Sequence, residues 1–157
     1  VIGETGHVYG YGKSVWAMID LDTRQPADIL AVRGGLITEY IETEYSCPIE
    51  KSSRVKMSAD ATPVRSIDTY YNDVDINGHI NSVKYIEHML DLWDVAWYKQ
   101  HRIKRFEIAY VAESHQGDKL HFYREQRGTE TDFNVRITKS NVEREETEVC
   151  RCRVQFV

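Results

Sequence analysis

One helix-period stretch followed by four strand-period stretches constrains this chain more than any other feature. From residue 82 to about residue 100, Val83, Ile86, Leu90, Trp93 and Trp97 recur in steps of 3, 4, 3 and 4. That spacing lays apolar side chains along one face of an α-helix. Asn81 or Ser82 supplies the N-cap. Four alternating segments follow. Phe106, Ile108, Tyr110 and Ala112 mark the first, and Leu120, Phe122 and Arg124 the second, after Gly117-Asp118. Phe133, Val135 and Ile137 mark the third, and Cys150, Cys152, Val154 and Phe156 the fourth. A further strand is expected at residues 64–71, ahead of the helix. Strand, long helix, then strands in succession predicts an α+β domain with an antiparallel sheet, not alternating α/β. The chain has 157 residues, which is one domain, or one and a piece.

The first 63 residues have a different texture. Residues 6–20 are rich in aromatics and glycine, and Val8, Tyr9, Tyr11, Val15, Trp16 and Ile19 have strand character. Residues 20–26 form a turn-like break. Pro26 suits the first turn of a short helix reaching about Val32, which Gly34-Gly35 ends. Residues 47–63 are polar with prolines at both ends and read as a linker.

The balance of charge excludes some partners. Twenty basic against 25 acidic residues give a net charge of −5, which argues against bulk attraction to nucleic acid or an anionic membrane. The longest apolar run, residues 15–19, falls far short of the roughly 20 residues of a membrane span. Cys47, Cys150 and Cys152 read as reduced thiols of a cytoplasmic protein. Cys150 and Cys152 would share one face of one strand, a poor disulfide geometry. The spacing of Cys and His matches no zinc site.

The chemistry concentrates in D-V-D-I-N-G-H-I-N, residues 73–81. A calcium loop fits Asp73, Asp75, Asn77 and Gly78 but places Lys84 where a bidentate carboxylate is required. It also needs an entering helix, where the pattern here is strand-like. The alternative starts from Asp75, Asn77, His79 and Asn81, which recur every two residues before the first turn of the helix. Backbone N–H groups at a helix start are unpaired and carry a positive partial charge, a site for a developing oxyanion. An imidazole and two carboxamides beside it can donate to a carbonyl oxygen.

These residues resemble the motif of the plant plastid and bacterial acyl-acyl carrier protein (acyl-ACP) thioesterase family, D-x-N-x-H-x-N-x-x-Y. Asp75, Asn77, His79, Asn81 and Tyr85 match it. Glu113-Ser114 stands where the family carries a Glu-Cys pair at the end of the strand after the helix. Residues 15–29, VWAMIDLDTRQPADI, resemble the stretch that closes the first of the family's two domains. The resemblance implies a hotdog fold, an antiparallel sheet wrapped around a long central helix, as part of a double-hotdog thioesterase. It implies that residues 1–22 are closing strands of an N-terminal hotdog whose remainder lies outside this chain. Residues 23–63 would be a linker with a short helix, and residues 64–157 the C-terminal hotdog. The chain would be the C-terminal part of a longer enzyme.

The implied activity is hydrolysis of fatty acyl-ACP to free acid and carrier protein, with no cofactor and no metal. The implied catalytic set is Asp75, Asn77, His79 and Glu113, with Asn81 and Tyr85 at the helix start. Ser114 replaces a cysteine, and a serine hydroxyl attacks only with an adjacent base, which His79 would have to be. The preferred expectation is a water mechanism. Glu113 acts as general base, His79, Asn77 and helix N–H groups hold the oxyanion, and Asp75 orients His79 or Asn77. A non-catalytic acyl-thioester-binding hotdog and a hotdog dehydratase are the rivals. Acyl carrier protein is acidic, so its binder should offer local positive charge. Lys99, Arg102, Lys104 and Arg105 supply it, with no acidic residue between residues 95 and 106. A lone hotdog also leaves a sheet edge and an apolar face that a homodimer would cover.

Overall fold

The computed structural model describes residues 1–52, 55–140 and 146–157. It divides into two compact units, Val1–Lys51 and Ser52–Val157.

The first unit holds little regular structure. Isolated bridges join Ile2 to Val8 and Ile19 to Pro26, and the strand expected across Val8–Ile19 does not form. A strand is defined by its ladder, and no second strand runs beside it within this unit. The break at residues 20–26 is a side-chain-built turn. Asp20 Oδ1 accepts from the N–H groups of Asp22 and Thr23 and from the Thr23 hydroxyl, the usual work of an aspartate in a turn. The short helix appears as a 3-10 segment, Ile29–Tyr40, interrupted from Val32 to Gly35, where Gly34 and Gly35 take positive φ. The glycines end the first turns as expected, and a second stretch continues beyond them to Tyr40.

The second unit is one antiparallel sheet with helices on one face. Its strands are β1 (Arg65–Asp68), β2 (Ile103–Tyr110), β3 (Lys119–Gln126), β4 (Asp132–Ser140) and β5 (Glu146–Phe156), in the order β1-β3-β4-β5-β2. The α+β antiparallel expectation holds, and each alternating segment forms its strand. Leu120 and Phe122 on β3, Val135 and Ile137 on β4, and Cys150, Cys152 and Val154 on β5 point to one face and are fully buried.

The helix differs from expectation. It is two helices, α1 (Ser82–Leu90) and α2 (Val95–Gln100). Asp91 closes the first, and the Asp94 side chain caps the second by accepting from Trp97 N–H at 2.7 Å. The Leu92 carbonyl, freed by the break, accepts from Arg124 Nη1 of β3. The Arg124 guanidinium lies over the Trp93 ring at 5.2 Å. The break also moves the buried face. Val83, expected on the apolar stripe, is 53% exposed. Tyr85 and Met89 are the buried residues of α1, with Ile80 before them and Trp93 after. Trp93 and Trp97 lie beyond the break, so they could not set the phase of α1. The signal was present in D-L-W-D, residues 91–94, because an aspartate three residues ahead of an aromatic helix turn is a capping pattern.

The opposite face of the sheet is polar, and much of it is hydrogen-bonded, although Asn134 Oδ1 and Arg136 Nε are buried without a partner among the described residues. Asp132 accepts from Arg153 through both carboxylate oxygens, at 2.9 and 2.7 Å, and from Gln155 at 3.1 Å. The Tyr123 and Thr138 hydroxyls both donate to Glu146. Part of the expected linker packs here: the Lys56 carbonyl accepts from Asn134 Nδ2 at 3.0 Å, and Ser58 N–H donates to Glu125.

The Arg153 hydrogen bonds hold the Asp132 carboxyl below its ordinary 3.8, against a smaller upward push from burial. The folded-state value is therefore the lower one. The stabilisation is fully present above the unfolded value and is lost as pH falls through the folded value. Urea midpoints should drop between pH 5 and pH 2, and Asp132→Asn should flatten that part of the profile while lowering stability by about 3 kcal/mol at pH 7.

Candidate active site

The turn between residues 73 and 81 is organised by Asp75. Its Oδ1 accepts from Asn77 N–H at 2.8 Å and from His79 N–H at 3.2 Å. Its own N–H donates to the His79 carbonyl at 2.8 Å, and its carbonyl accepts from Gly78. Gly78 has φ +81°, a conformation that glycine takes without steric penalty. Lost hydration pushes the Asp75 carboxyl up. The Asn77 and His79 N–H groups and the Asn77 side chain outweigh that push, leaving it below its ordinary value. Asp75 therefore organises the turn through the Asn77 and His79 main chain, draws the Asn77 side chain toward itself as well, and stays ionised.

Two ties seat this turn. Ile80 N–H donates to the Ser114 carbonyl at 2.8 Å, and Asn81 N–H donates to the Asp73 carbonyl at 2.7 Å, part of the Val74–Ile80 bridge. The first joins the turn to the segment after β2, and this brings His79 and Glu113 together. His79 Nε2 stands 3.3 Å from Glu113 Oε2, both side chains part-exposed. The His115 ring meets the His79 ring edge-on, with centroids 5.1 Å apart. Asp75, Asn77, His79 and Glu113 thus share one end of the helix layer.

The helix start differs from the expected oxyanion site. Asn81 is the N-cap, its Oδ1 accepting from Val83 N–H at 2.9 Å while its carbonyl accepts from Lys84 N–H. Those donors are occupied by the cap, so α1 offers the field of its dipole here rather than those N–H groups. Ser114 is fully buried, and among the described residues its Oγ has no hydrogen-bond partner, His79 included. Tyr85 is 3% exposed, and burial pushes its phenol up to about 12. Ser114 opposes that shift from beside it, but the two hydroxyls fall short of hydrogen-bond geometry.

A ring of residues that carry no motif supports Glu113. Lys139 Nζ of β4 donates to the Glu113 carbonyl at 2.8 Å. Asp118 Oδ2 accepts from His115 N–H at 2.9 Å and lies 3.5 Å from Lys139 Nζ. Thr69 is 4% exposed, and its hydroxyl faces the carbonyls of His115 and Asp118 while accepting from Gly117 N–H. Only His115 had a signal in the sequence, its position next to Glu113-Ser114. The basic cluster lies apart, on α2 and the start of β2. Lys99, Arg102 and Lys104 are exposed, whereas Arg105 is part-buried and paired with Glu107. The segment ahead of the turn is β1 and a 3-10 turn, Tyr71–Asp73, not the entering helix of a calcium loop. Among the described residues no helix is long and apolar enough to cross a membrane.

The sheet order, the helices packed on one face and the site at the start of α1 define an α+β hotdog fold. The chain belongs to the acyl-ACP thioesterase family, because residues 56–157 match that family's C-terminal domain. A palmitoyl-acyl carrier protein thioesterase of Arabidopsis thaliana chloroplasts is 30% identical over 112 residues, covering 69% of this chain and 27% of that protein. The crystal structure of an acyl-ACP thioesterase from Bacteroides thetaiotaomicron superposes with a TM-score of 0.86 at 46% identity, over 99% of this chain and 60% of that one. The 12:0-ACP thioesterase from Umbellularia californica shares the fold, with a TM-score of 0.68 at 20% identity, over 88% of this chain and 52% of that one. The chain thus spans about a quarter of the plant relative and three-fifths of the Bacteroides structure.

Proposed function

We propose that this chain carries the catalytic half of a thioesterase that hydrolyses fatty acyl-ACP to free fatty acid and carrier protein. The observation that supports it most is the 3.3 Å approach of His79 Nε2 to Glu113 Oε2 at the start of α1, in a member of this family. Glu113 takes a proton from water as the water oxygen attacks the thioester carbonyl carbon. The oxyanion forms against the Asn77 carboxamide and the His79 imidazole. The C–S bond then breaks, and the proton on Glu113 passes to the leaving thiolate. The buried, unpaired hydroxyl of Ser114 favours water over serine as the nucleophile, since an unactivated hydroxyl is a poor one.

Incubation with a medium-chain acyl-ACP, followed by free thiol release, tests the reading. Retained binding without thiol would mean a non-catalytic acyl-thioester-binding module, and loss of water across the acyl chain would mean a dehydratase. In this reading residues 1–22 close a preceding hotdog and residues 23–63 link it to the C-terminal hotdog, residues 64–157. Three unbridged cysteines fit a reducing compartment such as a bacterial cytoplasm. A homodimer would cover one of the sheet edges, β1 or β2, and sedimentation equilibrium would detect it.

Lys99, Arg102 and Lys104 are proposed as the docking patch for the acidic carrier. Arg105 belongs with Glu107 instead, so charge reversal is aimed at the exposed three. Reversing Arg102 and Lys104 should raise KM for acyl-ACP by about 10-fold, as rim charges acting on encounter do, and leave KM for a small acyl thioester unchanged. Equal changes for both substrates would sink the patch.

A further inference from the structure

We propose that the outer face of the sheet carries a binding site for a phosphate group, built by Arg136 of β4, Arg151 of β5 and Lys56 of the segment that lies over them. The site stands apart from the hydrolytic reading and does not depend on it.

The strands bring two like charges together. Arg136 and Arg151 are direct cross-strand partners. Val135, Ile137, Cys150 and Cys152 fill the inner face, so both arginines project from the outer one. Like charges directly opposite each other destabilise a sheet. The next arginine along β5, Arg153, is answered by the Asp132 carboxylate, and Arg151 is paired with Glu148. Arg136 is held differently. Its guanidinium lies over the Tyr123 ring at 4.4 Å, and among the described residues its Nε is buried without a hydrogen-bond partner. Glu146 is near enough to feel the Arg136 charge, but its Oε1 accepts from the Tyr123 and Thr138 hydroxyls. A buried donor without an acceptor is costly, and a bound anion would supply the acceptor.

There is room for one. Arg136 and Arg151 line a cavity of about 190 Å³ together with Val55, Lys56, Met57 and Glu148. A water's share of liquid volume is about 30 Å³, so the cavity admits a group larger than a single water. Asn134 Nδ2 on the Lys56 carbonyl and Ser58 N–H on Glu125 hold this segment over the sheet, which keeps Lys56 in the cavity wall. The lining thus sets three cations against one carboxylate, and that carboxylate, Glu148, is already paired with Arg151. Such an excess of positive charge suits a phosphate group, which is close to doubly charged near neutral pH. Guanidinium forks also match its oxygens two at a time. The helices and the candidate active site lie on the other face of the sheet, so this ligand is separate from the thioester at the reacting centre. Bound there, a phosphate would join Lys56 to β4 and β5 and fasten the segment to the sheet.

Isothermal titration calorimetry on the full chain, at about 0.15 M ionic strength, tests the site with inorganic phosphate, glycerol 3-phosphate and octanoate. Phosphate is expected to bind with a Kd below about 1 mM. Arg136→Gln should weaken it by about 10-fold or more, as loss of a charge-assisted hydrogen bond does. Lys56→Gln, a change at an exposed side chain, should weaken it by about 3-fold or more. Lys119→Gln removes the same charge from an exposed lysine outside the cavity and should change it by less than about twofold. In the wild-type chain the Arg136 Nε–H resonance should move as phosphate is added. Inorganic phosphate binding as tightly as glycerol 3-phosphate, or tighter, identifies the free ion as the ligand. Tighter glycerol 3-phosphate identifies a phosphate monoester whose organic part meets Val55 and Met57. Either result supports the site. No binding of either phosphate, octanoate binding more tightly than both, an Arg136→Gln affinity equal to wild type, or an equal loss in Lys119→Gln would overturn it. If Arg136→Gln does not fold, Lys56→Gln against Lys119→Gln and the Arg136 resonance decide, and a resonance that does not move overturns the site.

Discussion

Glu113→Gln is expected to lower thioester hydrolysis by about 10²–10⁴-fold, the usual contribution of a general base, with KM nearly unchanged. The substitution keeps the size and reach of the side chain while removing its negative charge and its capacity to take a proton. The Glu113 side chain is about half exposed, so the fold should not notice. Ser114→Ala is the companion measurement. Ser114 Oγ is buried without a partner among the described residues, so its loss should leave turnover within a few-fold and relieve an unsatisfied hydroxyl. Steady-state thiol release on both variants separates the mechanisms. If Ser114→Ala abolishes turnover and Glu113→Gln does not, water is not the nucleophile and His79 must act on serine.

Phe122→Ala should be the most damaging single change to stability. Phe122 is fully buried at the centre of β3, opposite Ile137 of β4 and Arg65 of β1, with the His88 ring of α1 edge-on at 6.3 Å. Truncating such a side chain removes buried area and leaves a cavity, together about 3–5 kcal/mol. That is a large share of the roughly 5–15 kcal/mol that holds a domain folded. At about 4–8 °C per kcal/mol for a unit near this size, Tm should fall by roughly 15 °C or more. Thermal and urea unfolding followed by circular dichroism measure it. A loss below about 1 kcal/mol would mean that the β3–α1 contact is not the core.

What the sequence disclosed follows from how local each signal is. Strand alternation needs only neighbours two apart, so β2 to β5 were legible from Phe106, Phe122, Val135 and Cys152. The Asn81 cap and the Asp75 turn were legible because their bonds span two to four residues. The helix break was missed because Trp93 and Trp97 continued the period numerically while Asp94 restarted the helix physically. The phase error at Val83 follows from the same cause. Strand composition in residues 8–19 said nothing about whether a pairing neighbour was available. Lys139 was invisible because its carbonyl partner is 26 residues away, and the register of β3 on β4 decides that meeting. The resemblance pointed to His79 and Glu113 in two separate segments, whereas their meeting is a matter of tertiary contact.

The three cysteines give the chain a built-in gauge of its own unfolding. Cys47 is exposed, while Cys150 and Cys152 are fully buried on the inner face of β5, where burial pushes the Cys150 thiol up to about 12 and raises Cys152 as well. Thiolate is the form that alkylates, so the buried pair is shielded twice, by lack of access and by protonation. A maleimide should add one mass increment to the native chain and three to chains that have opened at β5. Because β5 joins β4 to β2 in the sheet, the second and third increments would time the parting of its central ladder, without any label introduced by mutation.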